Sequence, residues 1–192
     1  MSSRRRSFER RVESLALQIR DSADAKRGVT NDLINDFCQE ICSLEPQNLF
    51  AGVYSVDQIP VNALARRKFF CIIINLASRE KRQLEGHFVC ICVHPTSCFY
   101  IDPFGLPNLM SEIVYFLKRC SRPVFYNRKQ IQHMKSPFCG MYVALFATYY
   151  NDPLGETRRL RLRFEDGGKK RNDRRCMTYL KKLVDEIYEN VS

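Results

Sequence analysis

Three short apolar runs constrain this chain more than any other feature. Phe69–Asn75, His87–Val93 and Cys98–Asp102 are built from Phe, Ile, Val, Cys and Tyr with almost no polar alternation. Runs of this length and composition read as strands covered on both faces. Something must therefore pack against each side of the sheet they form. His94–Ser97, containing Pro95, is turn material, so the second and third runs make a β-hairpin.

The rest of the chain supplies the cover. Phe8, Val12, Leu15 and Ile19 recur at helical spacing within residues 8–27. Thr30 caps a second helix that carries Leu33, Ile34, Phe37 and Ile41 and ends before Pro46. Phe50–Pro60 reads as loop and Val61–Arg66 as a short helix or turn. Leu109–Arg119 places Ile113, Phe116 and Leu117 on one helical face, and Val124–Tyr126 is a short strand. Cys139–Tyr150 is an apolar helix stopped by Asn151-Asp152-Pro153. Residues 156–175 are basic and poor in apolar side chains, which predicts a loop or mobile insert. Tyr179–Val191 is an amphipathic closing helix. The fold class expected is α+β, a small, mostly antiparallel central sheet packed by helices. One domain over residues 1–192 is expected, with N-terminal helices over 1–47, a core over 48–150, and a basic segment plus closing helix over 151–192.

Composition narrows the function classes. An apolar share of 45% and a charged share of 27% suit a globular domain, and no apolar run is long enough to span a bilayer. The segment Met1–Ser7 lacks the apolar stretch of a secretory signal. The chain is expected to act inside a cell, or inside a particle made there, and not to be secreted. Nine cysteines without a scaffold spacing suggest reduced thiols. No CxxC pair is present, and Cys90 and Cys92 have no second pair to complete a zinc set, so no metal is expected. The formal charge is +10, with basic clusters at Arg4–Arg6, Arg66–Lys68 and Arg158–Lys182. Such a charge favours polyanions, although it also describes a plain solvated surface.

The candidate chemistry rests on few residues. A cysteine nucleophile needs a base, a group to orient the base, and donors for an oxyanion. The chain has three histidines. His94 lies in the hairpin turn, and His133 lies in a loop near Cys139. His87 begins a buried strand directly after Gly86, where a neighbour can approach closely. With the hairpin turn near residues 94–96, His87 neighbours Asp102, Pro103 and Phe104. A buried aspartate is costly unless paired, and the histidine is its natural partner. Spacing alone also allows, and slightly favours, a satisfied core histidine and a turn-forming aspartate. Cys139 opens an apolar helix after Ser136-Pro137-Phe138, and a thiol there feels the positive end of the helix dipole. Gly140 leaves room for another backbone. Placement alone also allows Cys139 to be a small buried hydrophobe. Gln132, seven residues earlier, could donate to an oxyanion beside the Cys139 N–H, as could the nearby Gln130.

Taken in order, these blocks resemble the adenovirus-type cysteine proteases, the adenain-like family. Phe50–Tyr54 resembles the FLGTY-like segment of that family, and Cys71–Glu80 followed by Gly86-His87 resembles its histidine block. Cys98–Gly105, ending Asp102-Pro103-Phe104-Gly105, resembles its acidic block. Gln132 with Ser136–Gly140 resembles its Gln-x6-Cys-Gly nucleophile block. The resemblance covers roughly residues 48–150.

The resemblance implies a cysteine endopeptidase in which Cys139 attacks, His87 is the base, Asp102 orients it and Gln132 builds the oxyanion hole. It implies precursor proteins of a DNA virus or virus-like transposon as substrates, cut near Gly-Gly or Gly-x sites. It implies no cofactor for the chemistry itself, DNA and a peptide as activators, and a place in the host nucleus or virion. Phe88 stands where the family has tryptophan, the chain has no tryptophan at all, and Asp102 replaces the adenoviral glutamate, as in the related SUMO-specific proteases. A protease for a ubiquitin-like modifier and a non-enzymatic DNA-binding protein remain the alternatives.

Overall fold

The computed structural model describes residues 10, 11, 14, 15, 17–19, 21, 22, 29–43, 49–78, 86–107, 110–150 and 163–191. Its centre is a five-stranded sheet whose strands lie side by side in chain order. They are β1 (Phe50–Ser55), β2 (Phe70–Asn75), β3 (Phe88–His94), β4 (Ser97–Ile101) and β5 (Val124–Tyr126). The central pairs β2–β3 and β3–β4 are antiparallel, and the outer pairs β1–β2 and β4–β5 are parallel. The sheet is therefore mixed, not mostly antiparallel. Its outer strands are joined to their neighbours through helical segments, and such connections allow parallel pairing.

The helices are α1 (Asn31–Cys42), α2 (Val61–Leu64), α3 (Ser111–Cys120), α4 (Cys139–Tyr150) and α5 (Lys169–Val191). The strand β2 is buried at every position. Its alternate residues serve two cores: Cys71 and Ile73 face α1, α4 and α5, while Phe70, Ile72 and Ile74 pack with Ile113, Phe116 and Leu117 of α3. This double burial is what the unbroken apolar runs predict. Thr30 caps α1 as expected, accepting the Leu33 N–H at 3.2 Å. The hairpin also forms, with His94 paired to Ser97 across the turn. Residues 10, 11, 14, 15, 17–19, 21 and 22 are helical. Leu15 and Ile19 there join the core, while Phe8 and Val12 lie outside the described residues.

Two further expectations fail. Phe50–Ser55 is a strand, not loop, and its register shifts between Phe50 and Gly52. Gly52 has a φ of +127°, so the irregularity sits at the residue that tolerates it, and it hides the strand from a periodicity reading. Nor are residues 156–175 all loop. Residues 163–165 form a helical turn, and α5 begins at Lys169; residues 156–162 lie outside the described residues. The buried stripe of α5 is Asn172, Cys176 and Leu180, at helical spacing but with only one aliphatic member. Lys170, Arg171 and Arg174 are exposed.

Candidate active site

The hairpin register decides where the candidate residues fall. Cys90 pairs with Ile101, so the residues just outside each strand end, His87 and Asp102, come together. His87 Nε2 lies 2.7 Å from Asp102 Oδ1. The aspartate is buried, with a side chain 2% exposed, and the histidine is 19% exposed. Asp102 Oδ1 also accepts the Phe104 N–H at 2.7 Å. Two donors on one carboxylate oxygen satisfy a buried charge that would otherwise be costly.

The Asp102 backbone is itself held. The Asn127 side chain accepts the Asp102 N–H at 2.9 Å and donates to the Asp102 carbonyl at 2.6 Å. A third bond runs from Asn127 Nδ2 to Lys129 O at 3.1 Å. Asn127 thus continues, with a side chain, the pairing that β4 makes with β5. The phenyl ring of Phe104 stacks on the imidazole, 4.7 Å between centroids and 27° between planes. The Gly105 N–H closes the turn on Asp102 O at 2.8 Å. Gly105 has a φ of +66°, a conformation that favours glycine. Gly86 is also required, since a Cβ there would collide with the Asn75 side-chain amide. The neighbour anticipated beside Gly86 is that amide, which bonds Asn31 Oδ1 at 2.9 Å.

Cys139 is the first residue of α4, half-buried, while the other cysteines are all buried. Gly140 is closely approached, though by the Val29 and Ile34 side chains rather than by backbone. The Cys139 thiol lies near enough to His87 to act on its titration. Burial opposes protonation of the imidazole, but hydrogen bonding and charge from Asp102 and then Cys139 outweigh it, and its pKa is raised to about 9. His87 Nδ1 is buried and makes no complete hydrogen bond among the described residues.

Gln132 is fully buried. Its backbone N–H, and that of Ile131, donate to Pro103 O at 3.0 and 2.9 Å. One turn, Asp102–Gly105, therefore touches His87 through its acid and Gln132 through its proline carbonyl. The Gln132 side chain gives one N–H to Ser136 O, and Oε1 has no partner among the described residues. The second amide hydrogen remains for another acceptor. Gln130, the other candidate donor, spends its Nε2 on Gln132 O at 2.8 Å.

The remaining histidines are otherwise engaged. His94 Nδ1 meets Thr96 Oγ1 at 3.2 Å in the exposed turn. His133 Nδ1 accepts the Lys135 N–H at 3.3 Å within its own loop. The sequence reading missed Asn127, Asn172 and Asp173. The last two, in α5, bond the loop that carries Gln132. Nothing in an isolated asparagine or aspartate signals such a bond.

Among the described residues, Cys71, Cys90 and Cys92 form the one cluster of three or more metal-ligating side chains. Their sulfurs are 3.3, 3.4 and 3.7 Å apart. Cys90 and Cys92 share a face, as their spacing requires, and Cys71 joins them across the β2–β3 pairing. Burial pushes the Cys71 and Cys92 thiols well up. Three ligands fall short of the four that a structural zinc takes. A cavity of about 540 Å³ lined by Tyr100, Leu117, Arg122, Val124 and Tyr126 opens on the α3 side and includes none of the four candidate residues. No helix among the described residues is long and apolar enough to cross a membrane.

No family model matches this chain, and no curated protein matches it. Among solved structures, the crystal structure of HopZ1a in complex with IP6 is similar at 13% sequence identity and a TM-score of 0.47. The match covers 88% of this chain and 64% of that one, so the chain spans just under two thirds of the length of that structure.

Proposed function

We propose that this chain is a cysteine endopeptidase of adenain-like fold, acting as a single domain. The observation that carries the reading is one imidazole held by a buried carboxylate at 2.7 Å, its pKa raised by that carboxylate and by the one half-buried cysteine, which opens an apolar helix. In this reading His87 takes the Cys139 proton, and the thiolate attacks the peptide carbonyl. Asp102 holds the ring and stabilises the imidazolium. The Cys139 N–H and the free Gln132 amide hydrogen stabilise the oxyanion. His87 then returns the proton to the leaving amine, and water hydrolyses the acyl-enzyme.

The substrate class proposed is viral or virus-like precursor proteins, cut near Gly-Gly or Gly-x sites in the host nucleus or virion. This part rests on the sequence resemblance. DNA is proposed as an activating partner through exposed cations of α5, among them Lys170, Arg171 and Arg174. An activating peptide is proposed on the resemblance alone.

The test is incubation of wild type and Cys139→Ala with capsid-precursor peptides containing Gly-Gly, with fragment masses read out. Cleavage by wild type alone is expected. Turnover of a ubiquitin-like fusion and of no precursor peptide would instead favour a modifier protease. Equal behaviour of the two proteins on every substrate would remove the peptidase reading. Stimulation by DNA should fade steeply as salt rises, because it depends on released counterions.

A further inference from the structure

The start of α5 is tied to the loop carrying Gln132 at three points. Asn172 Nδ2 donates to Ile131 O at 3.0 Å and to Phe164 O at 2.7 Å. Asp173 Oδ1 accepts the His133 N–H at 3.4 Å and the Tyr142 hydroxyl at 3.0 Å. Lys169 Nζ donates to Gln130 Oε1 at 2.8 Å, and Gln130 Nε2 in turn donates to Gln132 O at 2.8 Å. Residues 169, 172 and 173 stand at i, i+3 and i+4, so they share one helix face. That face meets Gln130, Ile131 and His133, the loop residues on either side of Gln132.

The chemistry of these contacts is directional. Asn172 is fully buried and supplies both amide hydrogens to carbonyls. No aliphatic residue of that volume could do so. Asp173 joins the loop to Tyr142, which belongs to α4, the helix that begins with Cys139. Pro103 O holds the same loop from its other side through Ile131 and Gln132. Gln132 is thereby fixed between the turn that bears Asp102 and the helix face of α5.

We infer that Lys169, Asn172 and Asp173 are positioning residues that set the placement of Gln132 for oxyanion stabilisation, making α5 part of the catalytic machinery. The inference rests on the peptidase reading for its effect on rate, but not for the clamp itself. A donor aimed at a developing charge must be held within fractions of an ångström, and a misplacement of about 1 Å costs on the order of 100-fold.

The experiment uses Asn172→Asp, which keeps the size and removes both donors, together with Asp173→Ala, Asp173→Asn and the exposed Lys169→Ala. Steady-state peptide cleavage is measured beside amide hydrogen exchange at residues 131–133 and iodoacetamide alkylation of Cys139. Asn172→Asp and Asp173→Ala should lower kcat about 10- to 100-fold with KM within about twofold. Exchange at 131–133 should quicken while the alkylation rate holds. Asp173→Asn keeps an acceptor for the His133 N–H and should recover most of the loss. Lys169→Ala should show the same pattern, weaker, and without risk to folding. Wild-type kcat together with wild-type exchange in Lys169→Ala and Asp173→Ala overturns the clamp. Faster exchange at full kcat overturns its role in catalysis. A wild type that cleaves nothing removes the peptidase reading, and the exchange data still decide whether α5 holds the loop.

Discussion

His87 and Asp102 meet at 2.7 Å because the β3–β4 register brings the two strand ends together, not because they are close in sequence. The carboxylate, with Cys139, raises the imidazole pKa to about 9 from its ordinary 6.5 despite burial. A raised histidine pKa stabilises the fold while the group is protonated. That contribution is complete below about pH 6.5 and is lost as pH rises through about 9. The stability gap between wild type and His87→Ala should therefore shrink over this interval, as read from urea midpoints at pH 6 and pH 10. Cleavage should fall over the same upper range, since in the proposed mechanism His87 must hold the proton it delivers to the leaving amine. Asp102→Asn removes the raising charge and should move that upper limb to lower pH. An upper limb that stays in place would count against the pairing.

Thiol reactivity offers a second check. Cys139 is the half-buried cysteine of the nine, and the remainder are buried. Iodoacetamide should label Cys139 at least about tenfold faster than any other thiol in the native protein, because access and an adjacent base both favour it. Tryptic mass mapping after brief labelling reads the order. Labelling of Cys98 or Cys90 first would overturn the assignment of the nucleophile.

The legible parts of this fold were those carried by local pattern. The runs around Ile72 and Ile91 announced buried strands, and Pro95 fixed the hairpin turn, which in turn brought His87 to Asp102. Helix α4 begins at Cys139, where the sequence placed it. What escaped depends on partners far along the chain. The strand β1 carries an irregularity at Gly52 that breaks its alternation. The buried stripe of α5 is built on Asn172 and Cys176, which look polar or neutral until their carbonyl and core partners are known. Cys71 meets Cys90 only through strand pairing.

Asn127 supplies a third prediction. It is buried and makes three hydrogen bonds, two of them to the Asp102 backbone. Asn127→Ala would leave the Asp102 N–H and C=O unsatisfied in the interior. The expected cost is about 2–4 kcal/mol in stability, from desolvated groups that lose their partners. Cleavage should also weaken, by about tenfold, because Asp102, which orients His87 in the proposed mechanism, loses its backbone anchor. Denaturant midpoints and kcat measured on the same preparation test both. A variant of unchanged stability would mean that water replaces the amide.

Gly105 tests whether one turn serves both halves of the site. Its φ is +66°, and a Cβ there would lie 2.7 Å from the Lys129 carbonyl carbon and 2.8 Å from the Gln130 nitrogen. Backbone cannot swing aside as a side-chain tip does. Gly105→Ala should cost about 2–4 kcal/mol, from left-handed strain plus this collision. Gly168→Ala is the matched control, since a Cβ at that position meets nothing within 4 Å. Its effect should stay within about 0.5 kcal/mol. Shifting Gly105 pushes on Lys129 and Gln130, next to the residues that bond Pro103 O, so the Gln132 loop and the His87–Asp102 pair should be disturbed together. The expected result is a fall in kcat accompanied by a lowered upper pH limb. A loss of kcat with the pH limb unmoved would mean that the turn supports Gln132 but not His87.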